Sequence, residues 1–177
     1  SLRTWIEIDT RALKSNIETF RRLIGPRCLL MAVVKSNAYG HGLWECAKAI
    51  RRGVDYFGVD TFAEAVRLRK EGIRKPILVL GYTLPSLFGE AAKRNISITI
   101  SSFESIAALR KLKKYPHIHI KIDTGLHRQG FLFRDVPKVI GELKKARIIT
   151  EIEGVYTHFA AAKNRRDTFS HRYTQSQ

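Results

Sequence analysis

Lys35 is the first residue in this chain whose type and position suggest chemistry. Residues 29–34 form a continuous apolar run containing β-branched residues, which reads as a buried strand that stops abruptly at the lysine. A lysine at the carboxyl end of a strand faces the side where α/β enzymes place their reactive groups. Partial desolvation there disfavours the ammonium and yields a nucleophilic amine able to form Schiff bases. The plain alternative is a lysine that ends a strand in water. The segment 118–122 is also strand-like, and Asp123-Thr124-Gly125-Leu126-His127-Arg128-Gln129-Gly130 follows it. An arginine after such a turn can hold a carboxylate or phenolate oxygen with two parallel hydrogen bonds. It can equally be a surface arginine capping a helix. A third strand ends in Gly154-Val155-Tyr156-Thr157-His158-Phe159-Ala160, where a lone histidine is more often a satisfied structural residue.

The elements that would position these groups repeat along the chain. Candidate strands begin near residues 29, 55, 77, 97, 118 and 152, the earlier ones spaced by roughly 20–26 residues. Helical patterns lie between them at 43–52, 62–71, 84–94, 103–114 and 136–146. This is the signature of βα units feeding a parallel sheet. Ser36 to Gly42 reads as a turn-forming segment before the helix that starts near Leu43. Gly53, Gly72 and Gly81 punctuate element ends. Ahead of the repeat, Trp5-Ile6-Glu7-Ile8-Asp9 alternates as a short strand. Asp9 or Thr10 can cap a helix over 11–23, whose apolar positions include Leu13, Ile17 and Phe20.

The fold class is therefore α/β. About six parallel βα units are too few for a closed eight-stranded barrel, which typically takes ~250 residues. The barrel reading is thus an incomplete (β/α)8 TIM-type barrel, with residues 1–10 as an N-terminal strand and 11–177 as the partial barrel. An open doubly wound sheet is the other architecture that six parallel strands could complete. The pattern over 167–175 looks like a helix that has not ended, so the chain is expected to be the N-terminal part of a longer protein.

Composition narrows the function classes. Apolar residues make up 44% and charged residues 27%, ordinary values for a globular protein. No run of ~18 apolar residues suggests a membrane span, and no apolar segment near the N-terminus suggests a signal peptide. Cys28 and Cys46 form neither a disulfide framework nor a metal spacing, and both suit a reducing compartment. The net charge of +16 first suggests polyanions. The bases are nevertheless spread through helical segments, as in Arg51-Arg52, Lys113-Lys114 and Lys144-Lys145, and no nucleic-acid-binding signature accompanies them. A solvated basic exterior that still favours anionic ligands is the better reading. His117 and His119 lie two apart, so they share one strand face. They lack an evident third ligand, and no metal is assigned.

The string from Ala32 to Gly42 resembles the cofactor-lysine motif of alanine racemases, the barrel-type enzymes that use pyridoxal 5'-phosphate. Trp5-x-Glu7-Ile8-Asp9 with Ala12-Leu13 and Asn16, Asp-Thr-Gly-x-x-Arg-x-Gly at Asp123–Gly130, and Gly-x-Tyr-Thr-His-Phe-Ala at Gly154–Ala160 are similar to further motifs of that family. The resemblance covers essentially the whole chain but only about half of the family's length. It implies that Lys35 carries the cofactor as a Schiff base and serves as base on one face of the substrate. It implies that Tyr39 bonds the cofactor phosphate, that Arg128 contacts the cofactor's phenolic oxygen and the substrate carboxylate, and that His158 lines the cofactor site. Lys121 stands where some members carry a carbamylated lysine that positions the arginine. The opening strand would join a C-terminal β-domain, and a tyrosine of the partner subunit in a homodimer would be the second base, beyond residue 177.

The function implied is interconversion of L- and D-alanine in the cytoplasm, supplying D-alanine for peptidoglycan, with this stretch alone inactive or nearly so. No specific nucleic acid and no membrane partner is expected. A non-catalytic pyridoxal phosphate-binding barrel, or a racemase of another amino acid, are the alternatives.

Overall fold

A computed structural model describes residues 3–161 and 174–176. Helix α1 spans Thr10–Ile24 and packs alongside α2, Leu43–Ile50. Asp9 caps α1, accepting the N–H groups of Arg11 and Ala12. The remaining elements alternate: β1 Met31–Val33, β2 Tyr56–Val59, α3 Phe62–Lys70, β3 Ile77–Val79, α4 Phe88–Arg94, β4 Ser97–Ile100, α5 Phe103–Leu109, β5 Ile118–Asp123, β6 Phe131–Leu132, α6 Val136–Lys145 and β7 Ile152–Tyr156. Three 3-10 turns, Pro85–Leu87, Phe133–Asp135 and Ile149–Glu151, lead into α4, α6 and β7.

Every strand pairing is parallel, and β1 to β5 neighbour one another in chain order. The outer side of β5 is shared: β6 pairs with its carboxyl end and β7 with the rest. A doubly wound sheet reverses direction part-way through its strand order. This sheet never does, so it is a half-barrel and the open-sheet alternative fails. Its helices form one outer layer, and the core lies between them and the sheet. On β5 the alternation is direct: Ile118, Ile120 and Ile122 are buried in that core, while His119, Lys121 and Asp123 take the opposite, inner face.

Residues 5–9 do not form the expected strand. Trp5 and Ile6 are 66% and 70% exposed. A strand needs a neighbour for its backbone N–H and C=O groups, and none of the described residues supplies one. Of the expected helix over 167–175, residues 167–173 lie outside the described residues, while Thr174 to Ser176 are helical. Among the described residues, no helix is long and apolar enough to cross a membrane.

The β3 exit shows how tightly the strand ends are fitted. A Cβ on Gly81 would stand 2.4 Å from the carbonyl oxygen of Asp60. That neighbour is backbone and cannot rotate away. Gly81→Ala is expected to cost about 1–3 kcal/mol, as over-packing usually does. It should appear as a lower urea midpoint with an unchanged slope.

Candidate functional site at the barrel mouth

Lys35 begins a turn with unusual backbone. Ser36, Asn37, Ala38 and Tyr39 all have φ between +53° and +55°, a left-handed turn built from four consecutive non-glycine residues. Left-handed backbone costs an L-residue roughly 1–2 kcal/mol, so the surroundings must hold it. Within the segment, Ala38 N–H donates to the Val34 carbonyl at 2.8 Å, and Gly42 N–H to that of Asn37 at 2.9 Å. Glycines at 40 and 42, with φ of 92° and 96°, let the chain leave the turn. The Asn37 side chain accepts the N–H of Leu43 at 2.9 Å, which caps α2. The segment was legible as a turn. Its handedness was not, because only asparagine among the four residues favours this region.

The carboxyl end of β2 supplies the neighbours. Asp60 Oδ1 lies 3.4 Å from Lys35 Nζ. Thr61 and Glu64 form a capping box at the start of α3. Glu64 Oε2 accepts the N–H of Asp60 at 3.0 Å and of Thr61 at 3.1 Å, and Oε1 accepts that of Asn37 at 3.3 Å. Burial pushes the Glu64 carboxyl up, but the N–H groups of Thr61, Asp60, Asn37 and Ser36 outweigh it and hold it below the usual range.

Lys121 projects from β5 and is buried, with 4% exposure. Among the described residues it pairs with no carboxylate. Its Nζ lies 5.4 Å from the centroid of the Tyr156 ring. Desolvation lowers its pKa, and the charges of Arg128 and Lys35 lower it further. His158, just past β7, is lowered by desolvation and then by Arg128, Lys121 and Lys35. These mutual influences show that the fold brings together Lys35, Lys121, Arg128 and His158, far apart in sequence, at one mouth. Tyr39 is 60% exposed and lines an apolar groove between α1 and β1 with Leu13 and Ile17.

Beneath the cations lies a layer that sequence reading missed. The Tyr156 hydroxyl is 2.8 Å from Thr99 Oγ1, which itself donates to the Val79 carbonyl. The Tyr156 hydroxyl also lies 3.3 Å from the Leu80 carbonyl oxygen. The phenol's pKa is raised by desolvation, so it stays protonated. Asp123 shares the inner face of β5, and its charge offsets part of the lowering at Lys121. One of its oxygens accepts the N–H groups of Gly125 and His127, both at 3.0 Å, which fixes the loop carrying Arg128. Only the alternation of β4 and β5 hinted at this layer.

The whole mouth thus presents a primary amine among three further groups able to carry positive charge. That donor set suits an aldehyde bearing phosphate and phenolate oxygens, since an anion there is attracted by all of them.

Comparison with known proteins then decides the family. Residues 8–177 match the family model described as alanine racemase, N-terminal domain. The chain belongs to this family. It is 41% identical over 173 residues to an alanine racemase of Methanococcus maripaludis, covering 94% of this chain and 46% of that protein. Its fold superposes on an alanine racemase of Clostridium difficile with a TM-score of 0.87 at 32% identity, covering 99% of this chain and 47% of that one. A histidine racemase of Leuconostoc mesenteroides gives a TM-score of 0.82 at 31% identity, covering 94% and 46%. The chain spans just under half the length of these relatives. The half-barrel is the part of the family's TIM-type barrel that the chain contains.

The electrostatic arrangement can be tested without any ligand. His158 should titrate below the ordinary histidine value of ~6.5. Because the Arg128 charge depresses it, Arg128→Ala should move its midpoint upward. Ring-proton NMR against pH reads both effects, and an unmoved midpoint would place Arg128 out of reach of His158.

Proposed function

We propose that the protein is a pyridoxal phosphate-dependent amino-acid racemase acting on alanine. The observation that carries this reading is Lys35 at the carboxyl end of β1, within electrostatic reach of Lys121, Arg128 and His158. Family membership and the names of the relatives support it. Lys35 would hold the cofactor covalently, and Tyr39, Arg128 and His158 would contact it. When bound, the cofactor supplies an electron sink that makes the substrate's α-proton acidic.

The residues of this chain then have separate tasks. Arg128 takes the substrate carboxylate with its planar pair of N–H donors and fixes which face of the α-carbon meets Lys35. Lys35 Nζ moves the proton on that face. Asp60 offers the freed ammonium an anionic neighbour. Lys121 and His158 have depressed pKa values, so each gives up its charge more readily than in water. A neutral Lys121 amine can add carbon dioxide, releasing a proton and becoming a carbamate. That anion would pair with Arg128 and hold the guanidinium in place.

Racemisation also needs a base on the other face. The family resemblance puts it, a tyrosine, on the partner subunit and beyond residue 177, so the working unit is proposed to be a homodimer of a longer chain. The cytoplasm and the supply of D-alanine for peptidoglycan follow from the same resemblance. The histidine racemase with a similar fold keeps a different amino-acid substrate open as the second reading.

Two experiments test the proposal. Incubation with pyridoxal phosphate, borohydride reduction and peptide mapping should place the label on Lys35, and a label elsewhere overturns the reading. The 177-residue chain alone should racemise alanine at no more than a trace rate. Substantial turnover by it would refute the dependence on a base outside these residues.

A further inference from the structure

We infer that Glu64 is the positioning residue for Lys35, clamping the left-handed turn that follows it to the β2–α3 corner. The inference rests on the role of Lys35 proposed above. Three observations carry it. The four left-handed residues directly follow Lys35, so any relaxation of their backbone swings the lysine off its strand. Among the hydrogen bonds of Ser36, Asn37 and Ala38, the one to Glu64 ties the turn to a different βα unit. It runs from Asn37 N–H and spans 27 residues, and the neighbouring Ser36 N–H helps to hold the pKa of the same carboxylate down. Finally, the oxygen facing away from the turn fixes the N–H of Asp60, whose side chain meets Lys35 Nζ. A single carboxylate therefore sets the spacing between the amine and its anionic neighbour. A capping box needs only one acceptor oxygen at this position, and either Glu or Gln provides it. The second oxygen, aimed at Asn37, is beyond what the helix requires.

That difference gives a variant that separates clamp from cap. In Glu64→Gln the amide oxygen can keep the two shorter bonds to Asp60 and Thr61, so α3 stays capped. Its NH2 group then opposes the N–H of Asn37, donor against donor. Thr61→Ala does the reverse, weakening the cap and leaving the clamp. The readouts are amide hydrogen exchange of Ser36 and Asn37 in the cofactor-free protein, and the rate of borohydride trapping at Lys35 after pyridoxal phosphate is added. Glu64→Gln should speed exchange at these two amides at least tenfold and slow trapping at least tenfold, with a thermal midpoint no lower than that of Thr61→Ala. Thr61→Ala should leave both readouts near the unaltered protein. Unchanged exchange in Glu64→Gln overturns the inference. So does fast exchange with unimpaired trapping, or an equal loss of trapping in Thr61→Ala. An absence of label on Lys35 in the unaltered protein is a failure of the cofactor reading instead, and the exchange rates still decide whether Glu64 holds the turn.

Discussion

The constraint on which the site depends is the change of hand directly after Lys35. A short buried strand delivers the lysine, and the chain must then reverse into α2 without carrying the amine away from the mouth. A right-handed helix begun at Lys35 would run the backbone onward and outward. Four left-handed residues fold it back on itself, and the cost of that backbone is offset by bonds that reach outside the turn. Asn37 serves twice, accepting the first free N–H of α2 with its side chain and donating its own N–H to Glu64. The buried Ala38 fits into the core beneath it. Strain of this kind persists only where the surroundings over-determine it, and here it lies directly beside the proposed reactive amine.

The second constraint is electrostatic. Gathering Lys35, Lys121, Arg128 and His158 without an equal number of carboxylates leaves mutual repulsion that a structural site would avoid. Among the described residues, Asp123 and Asp60 lie beside these cations, and both are engaged. Asp123 holds the N–H groups of its own loop and faces the His127 ring at 3.3 Å, and Asp60 meets Lys35. Burial lowers the pKa values of Lys121 and His158 first, and the neighbouring cations lower them further. An anionic ligand would relieve the repulsion, which ties binding at the mouth to the stability of the barrel's open end.

Much of the fold was legible in the sequence, for a definite reason. All six expected strands lie within two residues of where the patterns put them: β2, β3 and β4 are buried at nearly every position and read as apolar runs, and the helices between strands keep a 3.6-residue period. The run at 29–34 reads as a buried strand, but Leu29 and Val33 are exposed and β1 is only partly covered, since it stands at the edge of the sheet. The two-residue β6 carries too little pattern to see. Residues 5–9 show the opposite failure. Their alternation is a true strand pattern, but an alternation states only which face would be buried and cannot supply a neighbour. At the site, residue type and position left a plain structural reading open for Lys35, Arg128 and His158, and it was the resemblance to family motifs that singled them out. Glu64 was missed, since its bond to Asn37 joins residues 27 positions apart in two different βα units. Tyr156 and Thr99 were missed because ordinary residue types acquire a role there only through strand register.

The surplus charge takes a different meaning once the fold is known. Basic residues occupy the last turns of α1, α3, α4 and α6: Arg21 and Arg22; Arg67, Arg69 and Lys70; Lys93 and Arg94; Lys144 and Lys145. There they complement the negative ends of the helix dipoles. In a βα unit the helix ends where the next strand begins, so these cations cluster at the end of the barrel away from Lys35. Exposed charges interact weakly beyond a screening length of about 8 Å at physiological salt. The field at the mouth is therefore set by the few cations gathered there, one of them buried, and hardly by the net charge of +16. A polyanion attracted by the overall charge and a small phosphorylated ligand drawn to the mouth would thus meet opposite ends of the same barrel.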